Sequence, residues 1–185
     1  SAPESYQATV YPMTCDLSPD LTQYYTVSAY IGALAAPDDA FGTYATTGAT
    51  VSIQTEDGTP ISAVTDSTGK FVLEKVPNGT YIATVTYKYG FTRTFTIIVD
   101  GADVESDTMV GIVACNWDQT NTDITATDMA VYASHINETV ESDGYDVGVD
   151  IDRSGDITAL DMAVYAQFSN LTASEIQYTD IVVTN

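Results

Sequence analysis

This chain of 185 residues is poor in positive charge: five Lys and Arg stand against 26 Asp and Glu, for a formal charge of −21. A surface of that sign repels phosphate backbones, which argues against nucleic acid as a partner. Histidine is reduced to His135, and no Ser–His–Asp, Cys–His or zinc-ligand spacing appears, so the chain does not read as an enzyme. His135 falls in a helical stretch and reads as an ordinary surface or interface residue. No apolar run approaches the roughly 18–20 residues that a membrane span needs. No charged-then-apolar leader opens the sequence, which reads either as cytosolic or as a mature piece whose export signal lies elsewhere. Two cysteines, Cys15 and Cys115, are too few for a disulfide scaffold. Either a bridge between them or two buried thiols fits.

What the chain has in excess is acid, and the acid is unevenly placed. Residues 114–170 carry eleven carboxylates and one cation, Arg153. So small a module with that charge repels itself, and divalent cations relieve the repulsion. Within it, Asp123–Ala133 (DITATDMAVYA) and Asp156–Ala166 (DITALDMAVYA) agree at ten of eleven positions at an offset of 33; only Thr127 and Leu160 differ. Spaced oxygen side chains precede each copy.

The second loop follows a calcium rule closely. Counted from Asp150, oxygen side chains fall at Asp150, Asp152, Ser154 and Asp161, with Gly155 at the sharp turn and Asp156 placed to offer its carbonyl. An EF-hand loop supplies hard oxygen ligands from positions 1, 3, 5, 7, 9 and 12, with Gly at 6. Asp161 takes the place of the usual Glu and, being shorter, suits a loop with a single helix. Ile157 is expected to tie the loop to its twin through a short β contact. The first loop needs one inserted residue to match: Asn116, Asp118, Thr120 or Asn121, the Asp123 carbonyl, then Asp128. It lacks the glycine and begins with a neutral residue. It reads as a weaker calcium site or as a pseudo-loop held by hydrogen bonds.

Upstream the pattern is all-β. Tyr81, Ala83, Val85 and Tyr87 alternate with Ile82, Thr84, Thr86 and Lys88, the period of a half-buried strand. Phe91, Phe95, Ile97 and Val99 make a second such face, interrupted by Arg93. Turn chemistry at Asp57-Gly58, Ser67–Gly69, Asn78-Gly79 and Tyr89-Gly90 separates short strands, which implies an antiparallel sandwich. The expected organisation is an extended segment over residues 1–20, a β-sandwich over 21–113, a loop–helix–linker–loop–helix module over 114–170, and a tail over 171–185 packed on the module. The stretch from Ala35 to Thr47 has no assignable element.

On the helices, Met129, Tyr132, Ala133 and Ile136 recur at helical spacing and are expected to pack against Met162, Tyr165 and Ala166. The opposite faces are Ala126, Thr127, Ala130, Val131 and Ser134, and Ala159, Leu160, Ala163, Val164 and Gln167. They carry no charge, unlike the solvent face of an ordinary surface helix, and small uncharged faces suit close docking of another protein.

The duplicated loop–helix pattern over residues 116–170 resembles the dockerin family, whose modules bind cohesins in cellulosome-type assemblies. The segments Val64–Phe71 and Val76–Tyr81, running directly into the first loop, resemble the X-module that precedes some dockerins; this sandwich is also similar to carboxypeptidase-regulatory-like and prealbumin-like folds. The resemblance implies an immunoglobulin- or prealbumin-like sandwich followed by a small α module of two half-EF-hands, each holding Ca²⁺. It further implies an extracellular, non-catalytic anchoring role in polysaccharide degradation, with a cohesin of a scaffoldin or cell-surface protein as partner. Carried over by position, the ten uncharged face residues just named are the recognition residues. A hydroxyl pair common in the family is absent apart from Thr127, which implies a more hydrophobic interface. The competing reading is a calcium-rigidified spacer of a bacterial surface adhesin.

Overall fold

The computed structural model describes residues 23–185. The expected extended segment 1–20, and Cys15 with its bridge, lie outside the described residues; Cys115 is buried, and burial raises its thiol pKa. The elements run β1 (Tyr24–Ala33), β2 (Tyr44–Ala45), β3 (Thr50–Gln54), β4 (Pro60–Val64), β5 (Lys70–Pro77), β6 (Gly79–Thr86), β7 (Arg93–Val99), β8 (Val104–Ile112), α1 (Ala126–His135), α2 (Ala159–Phe168) and β9 (Val182–Val183).

The strands form a sandwich. One sheet pairs β1 with β2, β5 and β8, and the other runs β4-β3-β6-β7-β9. Period-two alternation sets its core: Tyr81, Ala83 and Val85 turn inward on β6 while Thr80, Ile82 and Thr86 are exposed. Phe71 and Phe95 meet across the layers with ring centroids 6.2 Å apart. Each such side chain contributes about 1.5–3 kcal/mol through its burial. The expected all-antiparallel pairing is corrected at two places, because β8 runs parallel to β1 and β9 parallel to β7. Parallel neighbours need long connections, and both pairs join strands far apart in sequence. The unassigned stretch supplies β2 and a bridge from Phe41 to Val110.

Arg93, which breaks the apolar face of its strand, is buried at 2% exposure. Its guanidinium donates to the carbonyls of Gly111 and Thr179, the latter at 2.5 Å, and lies 4.7 Å from the centre of the Tyr178 ring. Burial lowers its pKa. Arg93 thereby fastens the C-terminal tail to the sandwich, and β9 completes the attachment by pairing Val182 with Thr96 and Val183 with Ile97.

A second apolar cluster joins the two halves of the chain. Ala33, Leu34, Tyr89, Phe91 and Val113 from the sandwich end share it with Trp117, Ile124, Tyr132, Ile157, Tyr165 and Phe168. At this junction the Tyr89 hydroxyl donates to Asp146, and Lys88 stands 3.8 Å from the same carboxylate. Gly148 is required by close approach: a Cβ there would lie 2.2 Å from the Tyr89 ring.

Candidate metal loops and docking face

Each helix starts with the same device. Thr125 and Thr158 cap α1 and α2, and the carboxylates of Asp128 and Asp161 at N3 reach back to the cap backbone. A reciprocal box of this kind satisfies helix-end N–H groups that have no other partner. Both helices have only ten residues, too few to persist alone in water. Tertiary packing must hold them.

That packing is organised about Trp117. Its indole lies between Tyr132 (5.9 Å between centroids, 23° between planes) and Tyr165 (5.5 Å, 14°), and its Nε1–H donates to the Gly148 carbonyl at 3.0 Å. The tyrosines cross over: the Tyr132 hydroxyl donates to Thr158 O at 2.7 Å, and the Tyr165 hydroxyl to Thr125 O at 2.6 Å. The expected helix-to-helix stripe is therefore corrected. Met129, Ala133, Ile136 and Ala166 are exposed; of the expected stripe, Tyr132, Tyr165 and the partly buried Met162 join the shared cluster, where both rings stack on the Trp117 indole.

The β contact of Ile157 is also corrected. Ile157 does not pair with Ile124. It pairs with the segment just beyond α1, where Ile157 N donates to Glu138 O at 2.8 Å and Asn137 N donates to Ile157 O at 2.9 Å. Ile124 pairs in the same way with the segment beyond α2, through Asn170 N to Ile124 O at 2.7 Å and Ile124 N to Leu171 O at 2.9 Å. Asn137 and Asn170 both have left-handed backbone there, φ 67° and 68°. Each loop is thus clasped by the chain leaving the other helix, about a pseudo-twofold axis. A direct loop-to-loop ladder would leave those exits without partners.

In the second loop Asp150, Asp152 and Asp161 bring one carboxylate oxygen each to within 4.8 Å of one another. Asp150 and Asp161 are fully buried. Asp161 accepts from the N–H groups of Ile151 (2.7 Å), Asp152 (3.2 Å) and Thr158 (2.8 Å), so one side chain closes the loop and caps the helix. Asp150 accepts from Ser154 N (3.2 Å), Gly155 N (2.9 Å) and the Tyr145 hydroxyl (2.5 Å). Burial, and then the charge of Asp152, raises the pKa of Asp161 despite its N–H donors. Ser154 and Asp156 lie on the exposed rim, with the Ser154 hydroxyl donating to the Asp156 carbonyl at 3.0 Å. Gly155 takes φ 91°, which a side chain would strain.

The first loop brings its residues together differently. Asp128 is fully buried and accepts from Asp118 N (2.9 Å) and Thr125 N (2.8 Å), matching two of the three bonds on Asp161. The Asp118 carboxylate is held by the hydroxyls of Thr120 (2.9 Å) and Thr127 (2.5 Å). The Thr127 bond leads in lowering the Asp118 pKa. Asn121 turns its oxygen back to Asp123 N at 2.7 Å, and Asp123 bridges to Thr172. Asn116 donates through Nδ2 to Asn121 O at 3.0 Å, but its Oδ1 is buried with no partner. A buried acceptor without a donor is costly, about 1–3 kcal/mol, and a cation would satisfy it.

On the outer faces Ala126, Thr127, Ala130 and Ser134 of α1 are exposed, with Val131 half-buried; on α2 Ala159, Leu160, Ala163 and Gln167 are exposed. Val164 differs. It is buried in the shared cluster, unlike its counterpart Val131. The only carboxylates of the two helices, Asp128 and Asp161, point inward, so neither exposed face carries charge. The His135 ring lies 2.9 Å from the Gly144 carbonyl and 3.1 Å from Glu138. Among the described residues no helix is long and apolar enough to cross a membrane.

Two solved structures are similar over most of the chain: a C-terminal and an N-terminal interface mutant of the type II cohesin–X-dockerin complex from Acetivibrio cellulolyticus. They are 26% and 27% identical with TM-scores of 0.57 and 0.54, each match covering 82% of this chain and 99% of the other. The likeness supports a relationship of X-module type. No family model matches the chain, and no curated protein does.

Proposed function

We propose that this chain is an X-module followed by a dockerin, a non-catalytic module that binds a cohesin in a calcium-dependent way. The observation that carries the proposal is the reciprocal clasp of the two loops, which buries both capping carboxylates and leaves two related, uncharged helix faces exposed. The similarity adds support: a match over 82% of the chain is longer than the sandwich alone, so it extends into the loop–helix half. On this reading the chain works outside a bacterial cell, anchoring an assembly that degrades polysaccharide.

The loops fit calcium unequally. In the second, Asp150, Asp152, Ser154, the Asp156 carbonyl and Asp161 would hold the ion; in the first, Asn116, Asp118, Thr120 or Asn121, the Asp123 carbonyl and Asp128. Calcium would supply a divalent charge that offsets the clustered carboxylates and accepts the orphaned Asn116 oxygen as a ligand. The chain's own bonds do the rest: Asp128 and Asp161 tie each loop to the first turn of its helix, so ordering a loop orients the face that follows. The partner is expected to read Ala126, Thr127, Ala130, Val131 and Ser134, or Ala159, Leu160, Ala163 and Gln167, with Val164 supporting from beneath.

The test is binding of this chain to a panel of cohesins with calcium and with chelator. At least one is expected to bind with calcium only. Failure of every cohesin while the calcium-loaded chain is folded sinks the anchoring role.

A further inference from the structure

We propose that Arg153 is a latch coupling the filling of the second loop to the seating of the β-sandwich, an inference that rests on the calcium reading of that loop. Arg153 is the one cation in residues 114–170. Its Nε–H donates to the Ala45 carbonyl on β2 at 2.7 Å, and an Nη donates to the Asp150 carbonyl at 2.9 Å. One guanidinium therefore spans the sandwich and the first residue of the loop. The same Asp150 sends its buried carboxylate inward to Ser154, Gly155 and Tyr145. Main chain and side chain of a single ligand are thus fixed from opposite sides.

The backbone of Arg153 does not explain its presence. Its left-handed φ of 60° is matched by Gln119 at the same place in the first loop, φ 54°, so that conformation belongs to the loop. Only the side chain differs, and Gln119 is exposed. A positive charge beside a cation site is unfavourable by itself. What offsets that cost is the fork, whose planar donors reach two carbonyls at once, a task that a lysine ammonium on its flexible stem performs poorly. The far end of the latch is firm: Ala45 pairs with Gly32 of the central strand β1, and Thr46 N donates to Ile31 O at 3.0 Å. Coupling between sites is reciprocal. A sandwich that holds Asp150 in place strengthens ion binding, and a bound ion steadies the Ala45–Thr46 segment.

The experiment uses the full chain, calcium alone as the probe, and residue-resolved NMR. The Gly155 amide reports filling of the second loop, and hydrogen exchange at Thr46 reports the sandwich end. In the unmutated chain, saturating calcium is expected to slow Thr46 exchange several-fold. Arg153→Lys, which keeps the charge but loses the fork, is expected to weaken calcium binding at Gly155 by roughly tenfold and to abolish the slowing, since a hydrogen bond from a charged group is at stake. Arg153→Gln loses fork and charge together, so its affinity is expected to fall less. Wild-type affinity in Arg153→Lys overturns the latch. So does Thr46 exchange that ignores calcium in the unmutated chain, a result that needs no variant. A Gly155 signal that does not respond to calcium in the unmutated chain overturns the calcium reading, and the latch with it.

Discussion

The two loop–helix units share ten of eleven residues over their common core, and the structure gives them the same caps, the same exits and crossed tyrosine bonds, yet different loops. In the second, three carboxylates converge and the turn is made by Gly155. In the first, an asparagine replaces the leading aspartate and an extra residue replaces the glycine. The mismatch inside the repeat falls where it matters most. Thr127 donates its hydroxyl to Asp118, and Leu160 at the equivalent place has nothing to give Asp152. One side chain on the outer face of a helix therefore adds a hydroxyl donor to Asp118, which Thr120 also holds, while Asp152 accepts from Ser154 N at 2.9 Å without such help. The repeat keeps one scaffold in both units while the chemistry of the two loops differs.

The strongest way to break this comparison is to remove what the units share. Trp117 belongs to the first loop by sequence, but it stacks on a tyrosine of each helix at 2% exposure. Trp117→Ala is expected to cost about 3–5 kcal/mol, as for other buried aromatic truncations, and to melt both helices together. The check is thermal unfolding followed by circular dichroism, with the Tyr132 and Tyr165 signals resolved by NMR. Loss confined to the first unit would mean that the units are independent and that the symmetric clasp has no energetic meaning.

Much of this was legible in the sequence, for local reasons. The strands around Tyr81 and Phe95 follow from period-two alternation, and the two helices from apolar positions that recur at helical spacing after each loop. The clustering of Asp150, Asp152 and Asp161 follows from spacing along one short loop. The crossed clasp was not legible, because a repeat reveals that two units exist but not which partner each takes. Trp117 offers no ligand oxygen to the loop pattern, although a lone tryptophan beside two repeated tyrosines is a signal for a shared stack. Arg93 reads as an interruption and Arg153 as a lone cation, because each has a partner among main-chain carbonyls distant in sequence, and carbonyls leave no mark on composition.

A subtler test exchanges the mismatch. Leu160→Thr supplies a hydroxyl for Asp152, and Thr127→Leu withdraws one from Asp118. If that bond competes with the ion, calcium affinity is expected to fall in the second loop and rise in the first, each on the order of tenfold, the scale of one hydrogen bond to a charged group. Calorimetric titration with residue-resolved NMR assigns the change to a loop. Unchanged affinities in both variants would move the difference between the loops to Asn116 and Gly155, and leave Thr127 and Leu160 to the docking face alone.

The smallest expected effect is a difference in sign with pH. Asp161 is buried, and burial followed by the charge of Asp152 raises its pKa above the ordinary carboxylate value of 3.8. A carboxyl whose folded pKa is raised favours the native state while protonated, so without calcium the second loop is expected to loosen as pH rises through that raised value. Asp118 lies the other way: the Thr127 hydroxyl, then the Thr120 N–H, lower its pKa below 3.8. Its contribution is present above 3.8 and lost as pH falls through the lowered value. Acidifying the chelated chain from about pH 6 should therefore first tighten the second loop, in the usual range of buried carboxyls, and only later loosen the first. Hydrogen exchange at Asp152 N, bonded to Asp161, and at Thr120 N, bonded to Asp118, follows the two separately. Calcium should reverse the first sign, since ligation requires an ionised Asp161 and protons then compete with the ion. Parallel shifts at both amides would mean that the loops share one electrostatic environment, and that the Thr127 bond does not distinguish them.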